Sequence, residues 1–259
     1  MHHAVLHIEY DGTAYRGWAR QPSHPTIEHS LRAACTAIGM ELSELRVAGR
    51  TDSGVHASGQ VVSVAYAGPV PPERLARALV GYLPDDIVVH RSRPVHASFD
   101  ARSDALWREY EYRVLIDAYH SPLRRHRVLH HPRELRLESL QQAAAAFVGK
   151  HDFTAFTPTE TTHVFFHRTV FASRWEARGD ELVFTIRANA FLRNMVRICV
   201  GTMLAVGRGE WEVDRIRRLL EGAPRSEAHK TAPSRGLCLM GVGYEHDPFA
   251  GLHVGRSDG

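Results

Sequence analysis

Gly49-Arg50-Thr51-Asp52-Ser53-Gly54-Val55-His56 is the stretch of this 259-residue chain whose residue types and spacing could do chemistry. Asp and Gly are common turn residues, so the stretch reads in one way as a plain connecting turn. In another it displays an aspartate on a strained loop with Arg50 nearby, kept ionised and therefore nucleophilic. A charge pair at about 4 Å in an effective dielectric near 20 contributes about 4 kcal/mol. Burying a carboxylate costs several kcal/mol. One arginine therefore only breaks even, and an aspartate in a pocket calls for a second basic partner.

Candidates for that partner lie far along the chain. At about 100° per residue, Arg193 and Arg197 share one side of a helical pattern, opposite the stripe Phe191, Met195, Ile198, Cys199, Thr202, Met203 and Val206. That side is either an ordinary solvated face or one turned towards a cleft. Tyr110 and Tyr112 alternate along a strand as core residues do, yet an exposed strand aromatic is also how RNA-binding sheets stack an unpaired base. Arg102, Arg108 and Arg113 surround them, the basic and aromatic mixture such surfaces use. Eighteen histidines raise a metal site, with Asp52 and His56, His130-His131, or His163 and His167 as ligands. None of these has a recognised ligand spacing, and no metal is expected. Phosphate-loop, dinucleotide and nucleophile-elbow motifs are missing as well.

The elements that must position these residues alternate between strand and helix. Leu6, Ile8 and Tyr10 share one strand face before the turn signal Asp11-Gly12. Pro25 precedes a helix carrying Ile27, Leu31, Cys35 and Ile38 and ending near Gly39. A short strand at 45–47 leads into the Asp52 stretch, and a strand over 60–66 returns from it. Pro71-Pro72 opens a helix with Leu75, Ala78, Leu79 and Tyr82, and a strand covers 87–90. In the second half, strands are predicted at 107–116, 169–175, 181–187 and 237–244. Helices are predicted around Leu137–Phe147, along the Phe191 stripe and over Val213–Leu220. The pattern is α+β, with mostly antiparallel sheet and helices packed on one face. A boundary near Ala105 divides residues 1–105, which carry the Asp52 loop, from 106–245; residues 246–259 read as a loose tail.

Composition narrows the class. An apolar share of 44% and a charged share of 24% belong to a folded globular protein. No run approaches the roughly 18 apolar residues of a membrane span. Met1-His2-His3-Ala4 runs directly into a strand pattern without a secretory leader, and three scattered cysteines fit neither a disulfide framework nor zinc, so a cytoplasmic setting is expected. Thirty arginines stand against two lysines, for a net charge of only +3. Arginine's planar fork suits phosphate, but GC-rich codons give the same excess, so each arginine is judged by its position.

Read together, the segments resemble the TruA-type tRNA pseudouridine synthases over nearly the whole chain. The resemblance runs through Ile8-Glu9-Tyr10-Asp11-Gly12, Gly17-Trp18-Ala19-Arg20-Gln21 and Ala48–Ala57 around Asp52. It continues with Gly59-Gln60-Val61, Leu83-Pro84-Asp85-Asp86-Ile87, Phe99-Asp100-Ala101-Arg102 and Tyr110-Glu111-Tyr112-Arg113. His151-Asp152-Phe153-Thr154-Ala155-Phe156 and Ala188–Arg197 close the series. The Asp52 loop is the most specific of these.

The resemblance implies a pseudouridine synthase fold of two ferredoxin-like halves sharing a sheet, and Asp52 as the essential aspartate. That residue attacks C1′ of the ribose or C6 of the base, or otherwise assists glycosidic cleavage, with no cofactor. Tyr110 is implied to stack on the target base and to have a part in removing the C5 proton, and Arg197 to pair with Asp52. Arg50 is implied to help displace the base, which must leave its stem to be reached. Arg16, Arg20, Arg102 and Arg193, with Arg50 and Tyr110, are the implied RNA contacts. The implied substrate is uridine at positions thirty-eight to forty of the tRNA anticodon stem-loop, and the implied assembly a homodimer with basic clefts. A non-catalytic RNA-binding module is the alternative; it would need a broken Asp52 loop, and the loop is whole. Ser53, Val80, Glu28 and Ser103-Asp104 depart from the usual family residues, and Asp104 adds negative charge near the expected RNA path.

Overall fold

A computed structural model describes residues 1–161 and 164–250. His163, one of the metal candidates, and residues 251–259 of the expected tail lie outside the described residues. Ten strands form one sheet: β1 (His2–Tyr10), β2 (Glu41–Val47), β3 (His56–Ala67), β4 (Ile87–Pro94), β5 (Trp107–Ile116), β6 (Leu129–His131), β7 (Gly149–Asp152), β8 (His167–Arg178), β9 (Glu181–Ala188) and β10 (Leu237–Gly243). The spatial order is β4-β1-β3-β10-β5-β9-β8-β7, with β2 also on β3 and β6 also on β5. Among the strands of the described residues, β10–β3 and β5–β6 pair parallel and the other pairs are antiparallel, in line with the mostly antiparallel sheet expected.

The last strand sits near the middle of the sheet. Cys238 and Leu239 of β10 lie opposite His56 and Ala57, while Leu237–Gly243 run against β5 on the other side. β10 thus joins β3, which follows the Asp52 loop, to β5, which carries Tyr110.

The described residues also form five α-helices: α1 (Ile27–Ala37), α2 (Leu75–Leu79), α3 (Leu137–Ala145), α4 (Met195–Gly207) and α5 (Val213–Leu219). Leu6, Ile8 and Tyr10 of β1 share the main core with Ile27, Leu31 and Cys35 of α1, as alternation and helical period predict. Thr26 caps α1 by accepting from the His29 amide, and the chain turns away at Gly39 with φ +78°. On the opposite face, Val5, Val61, Ala48 and Ala101 form a smaller cluster. Phe249 completes it, 6% exposed, so the described start of the tail expected to be loose is packed.

Two helices differ from their sequence patterns. The helix expected through Tyr82 is a 3-10 turn at Pro72–Arg74 followed by α2, because only Leu75 and Leu79 find a core to enter; Tyr82 is exposed. The helix expected from Phe191 begins at Met195, because Asn194 takes the left-handed φ of 57°. Arg193 therefore precedes α4 and shares no helical stripe with Arg197. Nor is α4 amphipathic: every residue in it except Arg197 is buried. A helix apolar all round belongs in a core, and the segment bearing Lys230 covers its outer side so closely that a Cβ on Gly201 would meet the Lys230 carbonyl.

Candidate active site

Residues 48–55 connect β2 to β3 and are fastened along their length. Arg108 Nε and Nη2 donate to the Ala48 carbonyl at 3.0 and 2.7 Å. Gln60 Nε2 donates to the Gly49 carbonyl at 2.7 Å, and the Tyr10 and Thr51 hydroxyls lie 2.7 Å apart. The Trp18 amide donates to the Thr51 carbonyl, and the Gly54 amide to that of Tyr15. The Gly17 turn passes so close that a Cβ there would stand 2.7 Å from the Thr51 carbonyl, with φ +91° besides. Gly54 carries the loop's own left-handed residue, at φ +74°. A plain turn needs no such clamps; the loop is a platform.

Asp52 stands half-buried on that platform and lines a cleft of about 890 Å³, the size of a small-molecule site. Its Oδ2 accepts from the Asn194 amide at 3.3 Å. The two expected contact partners are arranged otherwise. Among the described residues no arginine forms an ion pair with Asp52; Arg50 is exposed, and its side chain holds no hydrogen bond. Arg197 donates from Nε to the Ala232 carbonyl at 2.8 Å and from Nη1 to Asn194 Oδ1 at 2.9 Å. Burial pulls the Arg197 guanidinium below its usual range, and the negative charge of Asp52 opposes that pull. Arg197 therefore acts on Asp52 through space, with Asn194 between them. Asp52 is only half-buried, so the desolvation that called for two contact partners is only partly incurred.

Tyr110 and Tyr112 point to the helix side of the sheet, so this face of β5 is no open RNA platform. Tyr112 is sealed, donating from its hydroxyl to the Pro233 carbonyl at 2.8 Å. Tyr110 is the one at the cleft. It is 7% exposed, its ring meets Phe191 edge-on at 5.0 Å, and its hydroxyl reaches towards Gly49. Burial first, then the neighbouring Tyr10 hydroxyl and the negative charge of Asp52, push its hydroxyl far above the usual tyrosine range. It stays a neutral phenol.

His56, raised as a metal ligand, is instead a pin at the start of β3. Its Nδ1 accepts from the Gly12 amide at 3.1 Å and its Nε2 donates to the His126 carbonyl at 2.7 Å. Asp11 lies 3.0 Å from Nδ1 and favours the charged ring, but burial outweighs it and lowers the pKa. Among the described residues no group of three or more His, Cys, Asp and Glu side chains could hold a metal ion.

A family model described as tRNA pseudouridine synthase matches residues 6–104 and 143–245. The chain belongs to that family. It is 39% identical to tRNA pseudouridine synthase A of Acetivibrio thermocellus over 244 residues, covering 94% of this chain and 100% of the relative. The corresponding protein of Anoxybacillus flavithermus is 40% identical over 240 residues, covering 92% and 97%, and that of Brevibacillus brevis 39% over 242 residues, covering 92% and 97%. The activity is the isomerisation of uridine to pseudouridine in tRNA.

The arginines expected to contact RNA are placed unevenly around the cleft. Arg16, Arg50, Arg102 and Arg193 are exposed there, and the side chain of none of them holds an acidic partner among the described residues. Arg20 falls elsewhere, in a hollow with His29 and Arg32, although its neighbours Ala19 and Gln21 line the cleft. Arg108, read only as part of a basic surface, is buried and structural: its guanidinium makes five hydrogen bonds to the carbonyls of Ala48, Arg102, Ala105 and Asn189. Sequence reasoning missed Arg168, which lines the cleft at the start of β8. Its Nη1 donates to the Phe165 and His167 carbonyls, its buried Nε has no partner among the described residues, and burial lowers its pKa. No spacing marked it. Asn194 was visible only as one letter of a family segment. No helix among the described residues is long and apolar enough to cross a membrane.

Proposed function

We propose that Asp52 is the group that acts on the target uridine, at positions thirty-eight to forty of the anticodon stem-loop. The observation that carries this is the half-buried carboxylate held over the cleft by the Asn194 amide, with Arg197 in its field and the Tyr110 hydroxyl nearby. The reaction breaks the N1–C1′ bond, turns the uracil and forms a C5–C1′ bond; N1 gains a proton and C5 loses one. Electrons balance without a redox partner, so the chain's own groups suffice. Asp52 attacks C1′ or C6, or assists the elimination. Tyr110, as a neutral phenol, contributes ring and hydroxyl rather than a phenolate base. With so little of its ring open, stacking on uracil requires Phe191 to move aside. Arg16, Arg50, Arg102, Arg168 and Arg193 take the phosphates around the extracted nucleotide.

We read residues 1–105 and 106–245 as two ferredoxin-like halves. In support, each runs strand-helix-strand-strand-helix-strand, as β1-α1-β2-β3-α2-β4 and β5-α3-β8-β9-α4-β10, with additions in the second. The spatial orders β4-β1-β3-β2 and β10-β5-β9-β8 match each other. The proposal extends to a homodimer working in the cytoplasm; light scattering on the purified protein tests the dimer.

The deciding assay follows release of the C5 hydrogen from uridine-labelled tRNA, with chelator present, for the natural protein and for Asp52→Asn. Release by the former and a loss of at least about a thousandfold in the latter, with tRNA binding retained, is expected. An active Asp52→Asn would end the reading.

A further inference from the structure

Asn194 stands between the two charged groups of the site and touches both. Its backbone amide donates to Asp52 Oδ2 at 3.3 Å, and its side-chain Oδ1 accepts from Arg197 Nη1 at 2.9 Å. It occupies the N-cap position of α4, where asparagine ordinarily turns its side-chain oxygen back onto the amides of the first turn. It does not do so: it caps no amide, and the oxygen is given to Arg197. The backbone is set to match. At φ 57° Asn194 is, with Ser23, one of two non-glycine residues at positive φ among the described residues. Asparagine tolerates that region better than most residues, but the conformation still persists only where surrounding contacts demand it. Here it aims the amide at Asp52 while α4 starts at the next residue and brings Arg197 one turn up.

We propose that Asn194 is a positioning residue that fixes the distance and direction between Arg197 and Asp52. Arg197 makes no ion pair with the carboxylate, so its effect depends on where its guanidinium is held. Two tethers hold it, the Ala232 carbonyl on one side and the Asn194 oxygen on the other. The Ala232 amide returns a hydrogen bond to the Arg197 carbonyl, which makes that side part of the fold. Asn194 is the tether that also reports on Asp52: its two hydrogen bonds share one residue's backbone, so neither charged group shifts without the other. Leaving Arg197 short of contact keeps Asp52 Oδ1 free of a guanidinium bond. That oxygen remains available to the nucleotide.

The inference rests on Asp52 being the acting group, and the test separates the two claims. Asn194→Gly keeps the amide and is at ease at positive φ, but removes the tether to Arg197. Single-turnover measurement on tRNA, which resolves slow enzymes, is made for Asn194→Gly, Arg197→Ala, the double variant and Asp52→Asn, with thermal unfolding of each. The expected result for Asn194→Gly is a loss of about tenfold in the chemical step, tRNA affinity within about twofold and an unchanged Tm. In the Arg197→Ala background the same substitution is expected to cost nothing further, since the tether then holds nothing. A chemical step unchanged in Asn194→Gly overturns the proposal. So does a loss equal in both backgrounds, or one that follows Tm and affinity together, since each means a general structural role. An active Asp52→Asn overturns this inference and the reading beneath it at once, and is recognised by that variant alone.

Discussion

Two sets of arginines divide this molecule. On the sheet face away from the helices, Arg113, Arg178 and Arg187 alternate with acids on neighbouring strands. Arg187 meets Glu109 at 2.8 Å and lies over the Trp107 ring, Arg178 meets Glu111 at 2.8 Å, and Arg113 meets Glu111 at 3.2 Å. Around the cleft, Arg16, Arg50, Arg102 and Arg193 are exposed with no acidic partner to their side chains among the described residues. A chain using arginine only to keep its exterior wetted would pair both sets alike. Leaving the rim unpaired keeps like charges together and gains nothing for the folded state. The gain appears when a polyanion arrives and its counterions are released.

The sharpest way to break this contrast is at the arginine that belongs to neither set. Arg108 is buried, without a carboxylate, and binds four carbonyls that converge beneath the Asp52 loop and the rim. Arg108→Met keeps the apolar stem and strands all four acceptors. A loss of about 3 kcal/mol or more in urea unfolding is expected. A loss under about 1 kcal/mol would mean that the platform stands without it, and the rim's geometry would need another origin. Next in size is Arg197→Ala, which removes the charge acting on Asp52 without touching the rim. Turnover is expected to fall about a hundredfold with tRNA affinity nearly unchanged. An affinity loss of similar size would place Arg197 with the phosphate-binding arginines.

Much of this was legible in the sequence, and the illegible parts share a cause. Alternation in Leu6, Ile8 and Tyr10 and the 3.6-residue period of Ile27, Leu31 and Cys35 report burial directly, so β1 and α1 were placed well. The α4 pattern failed at its start because the break is one backbone dihedral at Asn194, and asparagine carries no letter that says left-handed. It also suggested two arginines on one helical face, when Arg193 lies before the helix and Arg197 is tied to the later segment that covers α4. Asp52 stands out as a candidate by its neighbours in sequence, and the structure places it at the cleft. Arg168 and the bond from the Asn194 amide were not found, since their significance comes from strands distant in sequence meeting at one cleft. Pairing of arginines is likewise a cross-strand property, which is why composition could not sort the two sets.

At the rim itself, Arg102→Gln and Arg193→Gln are each expected to weaken tRNA binding several-fold, about 1 kcal/mol, with turnover at saturating tRNA unchanged. The slope of log affinity against log salt should fall by about one for each phosphate contact removed. An unchanged slope would show that the removed side chain met no phosphate.

The smallest effect is expected from the opposite face, and it is the control that gives the rim result its meaning. Arg178→Gln removes a partner from Glu111 and from Glu176, at 2.8 and 3.0 Å. Both bonds are made at a partly exposed surface, where solvent screens the pair and ordering two long side chains offsets part of the attraction. Arg113 also stays on Glu111, so the carboxylate is not left alone. The change in stability should lie within about 1 kcal/mol. tRNA affinity and its salt slope should not move, although the substitution subtracts the same unit of charge as Arg193→Gln. If the two substitutions weakened binding equally, net charge rather than the placement of unpaired arginines would govern recognition, and the contrast between the two faces would fall.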